Sequence, residues 1–458
     1  MPVARMSKRA LCLSYRFPPQ SYPVATRVEY VLNHLDGWQV DAVTAAESPQ
    51  GGPHVTPHSV PCPAPEKLFS LLQSLRLGKM LDWVVWPDTS IFWLLPAYRK
   101  AHRLAQARSY DALIVFMMPY APGLAGLALK RKTGLPLVLN LDDSPTCSDL
   151  HPTHPSRLHH RLAREIEDLY ARHADALVYV SRRNMVRIRN RQPAEHRSKF
   201  HLVRWGSQPL PTPTASNPQG DDYHIVYTGG TSGWYRFLDE EPAALPMRFA
   251  KQLFRTWKQA GRYEVTPLDP RTHGPVYVGR AVQQVLHAYP EWEGRVHVDV
   301  YGERYPKPVT DTVLDRFGLQ DIVHLHGRVP HDEALRRMTE ADLLFMALPD
   351  RLDGSPGGRI SAKTYEYLTT DRPILAALPP GENREYLQDK PGVHLAPPDG
   401  VGEMADILNR LIAASFDGDS LAVDRSDLRP QISSTARAKA FERVLNSVVA
   451  TPAPAVSR

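Results

Sequence analysis

Short apolar runs alternate with helix-like stretches along most of the chain, and this alternation restricts the fold more than any other feature. In the first half the apolar runs lie at Arg9–Tyr15, Gly37–Ala45, Tyr110–Met118, Leu135–Leu141, Ala176–Ser181 and Phe200–Trp205. Helix-like stretches occupy Pro23–Leu35, Gly123–Thr133 and Leu158–His173. Because consecutive parallel strands need a crossover, usually a helix, the series predicts a doubly wound parallel sheet.

A proline-rich segment divides the chain. Gln208–Gly220 contains four prolines and no apolar periodicity, which is typical of a linker. Strand-like runs resume at His224–Gly230, Arg295–Gly302, Ile322–Gly327, Ala341–Ala347, Arg372–Leu378 and 392–397. Helices are expected at Gly279–Tyr289, His331–Thr339, Ile360–Thr369, Asn383–Gln388, Gly402–Ala414 and Ser434–Val449. We predict two Rossmann-like α/β domains, at residues 1–207 and 221–430, a linker at 208–220, and a C-terminal helix and tail at 431–458.

Residues 234–274 do not fit the second series. About forty residues pass with no strand counterpart and with one plausible helix, Met247–Gln259. We interpret them as an insertion in the second domain, and an insertion of this length is more often a functional lid than a structureless loop.

Composition excludes several classes of protein. Apolar residues make up 42% and charged residues 23%, so a largely disordered chain is excluded. The most apolar stretch, Leu81–Tyr98, is broken by two aspartates and two prolines and does not predict a membrane span. The three cysteines lack zinc-site spacing and suit a reducing compartment, so we expect a cytoplasmic protein.

The two halves differ in charge. Through Leu210 the chain has 27 Lys and Arg against 16 Asp and Glu, and the remainder has 28 against 33. A basic half attracts an anionic partner. The arginines between Ser181 and Arg191 are most simply a solvated face, but they could contact anionic lipid. Nucleic acid is not expected, because no aromatic interleaving or recognised binding module accompanies them.

Two glycine-rich loops follow predicted strands of the second domain, where ligands of open α/β sheets bind. Gly229 and Gly230 precede Arg236, so backbone could approach a phosphate with a cation nearby. Asp353–Lys363 leads into a helix, and Arg359 and Lys363 make that helix start a candidate phosphate cradle. The alternatives are an ordinary glycine turn and a surface ion pair of Lys363 with Glu366. A GxGxxG fingerprint is absent, which counts against a nicotinamide dehydrogenase.

Asp142 and Asp143 follow the strand-like run Leu135–Leu141 in the first domain. Paired carboxylates there could orient acceptor hydroxyls or act as a base, and the alternative is a helix cap or turn. Five histidines between His151 and His173 suggest a metal cluster at first sight. Without cysteine or carboxylate ligands at zinc spacing, a solvated basic helix is the better interpretation, and no metal site is predicted.

The segments SAKTYEYLTTDRPILAALPPGENREYL and HLHGRVPHDEALRRMTEADLLFMAL resemble the C-terminal domain of family 4 retaining glycosyltransferases of the GT-B fold. YRFPPQSYPVATRVEYVLNHL and WQVDAVTA resemble their N-terminal opening. The resemblance implies two Rossmann-like domains that face a central cleft. It also implies a nucleotide-sugar donor on the C-terminal domain and retention of anomeric configuration.

By that resemblance, Glu366 matches the glutamate that holds the nucleotide ribose, and Lys363 lies at the diphosphate end. Gly229, Gly230 and Arg236 match the phosphate loop, and Arg328 and Val329 lie in the loop whose backbone meets the base. No cofactor or metal is implied, since cations and helix amides could stabilise the leaving diphosphate.

The acceptor implied is lipid-linked or a saccharide, in polysaccharide or glycolipid synthesis, with peripheral contact at the inner membrane face. Two alternatives stay open: a nucleotide-sugar epimerase of the same fold, and a non-catalytic nucleotide-sugar-binding scaffold. The scaffold is motivated by Gly358, where the family often has a second glutamate, and by a missing histidine near Met117–Pro119.

Overall fold

The computed structural model describes residues 7–450 except 21, 76–77, 148, 150–152, 209, 211–221, 232, 239–260 and 305. The chain forms two compact units. The N-terminal unit comprises Met1–Gly206, Arg255–Val265 and Ser434–Arg458. The C-terminal unit comprises Ser207–Phe254 and Thr266–Ser433. The expected helix Met247–Gln259 and most of the expected linker lie outside the described residues.

The N-terminal unit contains a seven-stranded parallel sheet. Its strands are β1 (Lys8–Ser14), β2 (Trp38–Thr44), β3 (Val55–Ser59), β4 (Ala112–Met117), β5 (Leu137–Leu141), β6 (Ala176–Tyr179) and β7 (Phe200–Leu202). The order β3-β2-β1-β4-β5-β6-β7 reverses between β1 and β4. Its helices are α1 (Pro23–Asn33), α2 (Glu66–Ser74), α3 (Gly78–Val84), α4 (Leu94–Ala107), α5 (Pro122–Thr133), α6 (Arg157–His173) and α7 (Arg182–Arg191).

The C-terminal unit repeats this plan with six parallel strands. They are β8 (Tyr223–Tyr227), β9 (Val296–Tyr301), β10 (Val323–Gly327), β11 (Leu343–Ala347), β12 (Ile374–Ala377) and β13 (Val393–Ala396). The order β10-β9-β8-β11-β12-β13 reverses between β8 and β11. Its helices are α8 (Val276–Ala288), α9 (Lys307–Phe317), α10 (His331–Glu340), α11 (Ala362–Thr369), α12 (Glu382–Leu387), α13 (Val401–Phe416) and α14 (Arg429–Ile432).

Local sequence signals explain where several helices begin and end. α6 and α7 start after serines, Ser156 and Ser181, whose hydroxyls accept from backbone amides inside the first turn. α5 begins at Pro122 and is capped at its C-terminal end by Gly134, which has a left-handed φ of 75°.

The last helix, α15 (Ser434–Ala450), belongs to the N-terminal unit, where it contacts α1, β5 and β6. Phe441 and Leu445 join the core on one face of the N-terminal sheet, together with Val28 and Val31 of α1. Side chains of α4, α5 and α6 cover the opposite face. The sequence predicted the helix but not the unit into which it packs.

The predicted insertion 234–274 is shared between the units. Tyr263–Glu264 pairs antiparallel with Thr153–His154, which fixes this part of the chain in the N-terminal unit. Leu268–Asp269 pairs with Asp350–Arg351 in the C-terminal unit. The expectation of no strand in this region was therefore wrong for these two short pairs. None of the helices among the described residues is both long and apolar enough to cross a bilayer.

Candidate functional site

The strand order brings two loops together at the carboxyl edge of the C-terminal sheet. β8 and β11 are neighbours at the point where the order reverses. The segment that contains Gly229 and Gly230 leaves β8, and the segment that leads to α11 leaves β11. Open α/β sheets bind ligands at such a switch point.

Glycines that follow β8 and β9 are required by close packing. A Cβ on Gly229 would lie 2.2 Å from the Tyr227 ring, and a Cβ on Gly302 would lie 2.3 Å from the carbonyl oxygen of Gly229. A Cβ on Gly233 would lie 1.9 Å from the carbonyl oxygen of Pro270. The loop is therefore held against the Pro270 segment by contacts that only glycine permits.

Tyr367 fastens α11 to the end of β8. The backbone amide of Thr228 donates to the Tyr367 hydroxyl at 3.1 Å, and the two hydroxyls are 2.9 Å apart. Lys363, one turn earlier on α11, places its Nζ 5.0 Å from the centroid of the Tyr227 ring. The structure thus brings Lys363 to the strand that carries the glycine loop.

Three basic side chains, each partly buried, meet here. Burial and then the positive charge of Arg359 lower the pKa of Lys363 to about 8, although Glu366 opposes the shift. Burial, followed by the charges of Lys363 and Arg359, lowers the pKa of His273 to about 3. The free site therefore has Lys363 and Arg359 next to a neutral imidazole, an arrangement that favours an anionic ligand.

His273 was not among the residues predicted from the sequence. It lies at the end of the insertion, just before α8. The neighbouring Thr272 accepts a hydrogen bond from the backbone amide of Asp350 at 2.7 Å, which ties this segment to the loop after β11. His273 is a single histidine some 90 residues before Lys363, and no local sequence pattern connects the two residues.

Glu366 lies further along α11. Burial raises the pKa of its carboxyl, and His331 and Lys363 oppose that shift. His331 begins α10 directly after the segment that holds Arg328, which is exposed, and Val329, which is half-buried. The two predicted regions, Glu366 and the loop after β10, are therefore close in space.

Arg236 lies in a short 3₁₀ helix, Trp234–Leu238, that continues the glycine loop. Its backbone amide donates to the carbonyl oxygen of Gly233 at 3.1 Å. Its guanidinium carbon lies 5.3 Å from the centroid of the Tyr235 ring.

In the N-terminal unit the two predicted aspartates follow β5 but have different surroundings. The Oδ1 of Asp142 lies 3.0 Å from Nε of Arg27, and both side chains are buried. Asn140 donates to the same oxygen at 2.9 Å. Burial raises the pKa of Asp142, while Arg27 and Asn140 oppose the shift. Asp143 is half-buried, so it is the more accessible carboxylate.

Other polar groups gather beside Asp143. Burial raises the pKa of Tyr120 well above its ordinary value, with the charges of Asp143 and Glu167 as further causes. Glu167 accepts hydrogen bonds from the hydroxyls of Ser144 and Thr146 at 2.7 Å and 2.5 Å. The loops after β4 and β5 therefore meet at the carboxyl edge of the N-terminal sheet.

The structure gives no support to a metal cluster. Among the described residues, which omit His151, there is no group of three or more metal-binding side chains in position to hold an ion. Arg191, one of the arginines of α7, is committed to ion pairs with Glu167 and Asp168.

Residues 24–204 match the family model described as a glycosyl transferase 4-like domain. This part of the N-terminal unit is similar to that domain. No curated protein sequence matches the chain. The match agrees with the resemblance of the N-terminal segments, and the C-terminal motifs lie outside the matched residues.

Solved structures confirm the GT-B architecture of the chain, with its two parallel-sheet α/β units. HepE from Anabaena, solved with UDP and glucose, has a TM-score of 0.59 at 14% identity, covering 96% of this chain and 100% of that chain. A UDP-forming trehalose-phosphate synthase from Burkholderia vietnamiensis has a TM-score of 0.60 at 12% identity, covering 97% of this chain and 99% of that chain. WaaG, a glycosyltransferase involved in lipopolysaccharide biosynthesis, has a TM-score of 0.51 at 13% identity, covering 96% of this chain and 95% of that chain.

Proposed function

We propose that this protein is a glycosyltransferase that moves a hexosyl unit from a nucleoside diphosphate sugar to a lipid-linked or saccharide acceptor, with retention of anomeric configuration. The observation that carries the proposal is the basic cluster of His273, Arg359 and Lys363 at the switch point of the C-terminal sheet. HepE, which has a similar fold, was solved with UDP and with UDP-glucose, and this supports the same class of donor.

The cluster would act on the leaving group. The departing nucleoside diphosphate gains negative charge as the glycosidic bond breaks, and cations already held in a partly buried site stabilise that charge without reorganisation. Lys363 and Arg359 supply the positive charge, and neutral His273 can donate a hydrogen bond from its ring. These groups can perform the step without a metal ion.

The remaining donor contacts follow from the positions of the residues. We assign Glu366 to the ribose hydroxyls, because a carboxylate accepts hydrogen bonds but would be repelled by a diphosphate. The backbone near Arg328 and Val329 would contact the base, and Gly229, Gly230 and Arg236 would lie along the phosphates.

On the acceptor side we assign Asp143 to orient or deprotonate the acceptor hydroxyl, and Asp142 to position the loop through Arg27. The excess of basic residues before Leu210 supports peripheral contact of the protein with an anionic membrane, at the cytoplasmic face where a lipid-linked acceptor would be reached.

Nucleotide binding tests the donor site. We expect UDP, GDP or ADP, or one of their sugars, to raise the melting temperature of the protein, and Lys363→Ala to weaken that binding about 10- to 100-fold, the usual value of a charge-assisted hydrogen bond. Lys307→Ala, which removes an exposed lysine of α9, is the matched control and should bind normally. Unchanged nucleotide affinity in Lys363→Ala would reject the cradle.

Turnover tests the acceptor side. We expect Asp143→Asn to lower kcat about 10²- to 10⁴-fold, the usual contribution of a general base, while donor affinity stays the same. Asp142→Asn is the contrasting variant, and we expect it to lower stability by about 3–5 kcal/mol because Arg27 is left buried without its carboxylate. Equal transfer rates for Asp143→Asn and wild type would remove Asp143 from the site. Nucleotide binding with no turnover across donors and acceptors would favour a scaffold.

A further inference from the structure

Exposed apolar side chains are concentrated on one part of the N-terminal unit. Of the ten large hydrophobic residues that are exposed within the described part of the chain, six lie on α2, α3, α4 and α6, and Leu75 directly follows α2. The six are Leu71, Trp83, Val84, Leu95, Leu158 and Leu162. Val84 is 82% exposed and Leu158 is 60% exposed. A concentration of this kind on one part of a protein surface marks an interaction site.

The end of α3 and the start of α6 form one continuous surface. His159 of α6 lies between them, with its ring centroid 5.1 Å from that of Trp83 and its Nε2 3.2 Å from the Trp83 carbonyl oxygen. We call the exposed residues around this contact the α3–α6 surface; its members are Trp83, Val84, Arg157, Leu158, Arg161, Leu162 and Arg164. Residues 261–263 of the insertion border it. Arg262 pairs with Asp82 at 3.0 Å, and the guanidinium carbon of Arg157 lies 5.8 Å from the centroid of the Tyr263 ring.

Basic and apolar side chains form adjacent stripes on α6. The helical spacing places Arg157, Arg161 and Arg164 on one side and Leu158 and Leu162 directly beside them. The first turn of α6 has no acidic residue, and Arg157 occupies it although a cation opposes the helix dipole there. Helix stability therefore does not explain the arginine.

Acidic side chains do little to neutralise this charge. Asp82 is already paired with Arg262, and Glu165, which lies between the two stripes, is the other exposed acid on α3 and α6 among the described side chains. The surface combines apolar side chains with a net positive charge. A second copy of this chain is a poor partner for it, because the arginines would face each other.

We propose that the α3–α6 surface docks on an anionic lipid bilayer, with Trp83, Val84, Leu158 and Leu162 at the acyl boundary and the three arginines at the headgroups. Surface-bound proteins use this combination of apolar contact and basic charge. The inference deepens the proposed function, because it would bring the enzyme to a lipid-linked acceptor. Vesicle binding, however, is measured without donor or acceptor.

Matched charge reversals test the proposal. We expect wild-type protein to sediment with vesicles of phosphatidylglycerol and phosphatidylcholine, less so in high salt, and weakly with phosphatidylcholine alone. The double variant Arg157→Glu and Arg161→Glu should lower partition at least about 25-fold, since each basic residue near the surface is worth about five-fold. Its fold should be kept, because glutamate in the first turn suits the helix dipole.

The control has the same charge change at the same helical spacing on α15. Lys439 and Arg443 are exposed, and α15 packs on the opposite face of the N-terminal sheet from α6. Lys439→Glu with Arg443→Glu should therefore sediment like wild type. Equal loss in both double variants would overturn the proposal, because it would show a general effect of net charge.

The apolar contribution is tested by Leu158→Asn with Leu162→Asn, which should also reduce vesicle partition. A wild-type protein that stays in the supernatant overturns the proposal, and so does one that self-associates through these leucines in sedimentation velocity. UDP affinity of the same variants separates the two hypotheses. Lost vesicle binding with normal UDP affinity concerns only this surface, whereas vesicle binding without UDP affinity contradicts the proposed function.

Discussion

At the scale of single residues, the C-terminal unit holds a lysine in surroundings that disfavour its charge. Burial and Arg359 bring the pKa of Lys363 from its ordinary 10.5 to about 8. A bound diphosphate would reverse this effect, because two negative charges near Nζ favour the protonated form. Charged Lys363 is therefore destabilised in the free protein and stabilised once the anion is bound.

Nucleotide affinity should therefore depend on pH through Lys363. Below its pKa of about 8 the lysine is already protonated and affinity should be constant. Above that pH binding requires proton uptake, so affinity should fall by up to about tenfold per pH unit. Titration calorimetry with UDP across this range measures the effect, and Lys363→Met should bind more weakly with no such fall. A wild-type affinity that is level well above pH 8 would contradict the assignment.

At the scale of elements, buried parallel strands were predicted best. β5 was expected at Leu135–Leu141 and observed at Leu137–Leu141, because a strand covered on both faces is an uninterrupted apolar run. β3, Val55–Ser59, was not predicted. It is an edge strand with a polar sequence that includes Pro57, so it has neither an apolar run nor alternation.

Two helices with a proline in the first turn were not predicted from the sequence. In the sequence, Leu81–Tyr98 is an apolar stretch interrupted by prolines and predicts no helix. In the structure, α4 begins within it at Leu94 and has Pro96 in its first turn. α9 begins at Lys307 and likewise has Pro308 in its first turn. Proline is tolerated there, because the first turn has no amide bonded within the helix.

The candidate site combines residues that local sequence patterns predict with one residue, His273, that they do not. Gly229 and Lys363 each belong to a local pattern, a strand followed by glycines or a glycine loop followed by a helix, and strand order places these patterns side by side. His273 belongs to no such pattern. It reaches the site through tertiary contacts of the insertion, namely the packing of Pro270 on Gly233 and the hydrogen bond that the Thr272 hydroxyl accepts from the backbone amide of Asp350.

At the scale of the whole molecule, the chain returns to its first unit after the second is complete. α15 covers one face of the N-terminal sheet, and the Phe441 ring stacks on Phe116 of β4 with a centroid distance of 6.0 Å. The N-terminal unit therefore needs the end of the chain for its core. The two units are thus similar in plan, but α15 completes the core of the N-terminal unit only.

The side chain of Phe441 tests this dependence. It is fully buried, so Phe441→Ala should reduce the free energy of unfolding of the N-terminal unit by about 3–5 kcal/mol, the usual cost of deleting a buried aromatic ring. Urea denaturation measures it, with Lys439→Ala on the exposed side of the same helix as control. UDP affinity should be unchanged, because the residues assigned to the donor belong to the C-terminal unit. A Phe441→Ala protein with wild-type stability would show that α15 contributes little to that core.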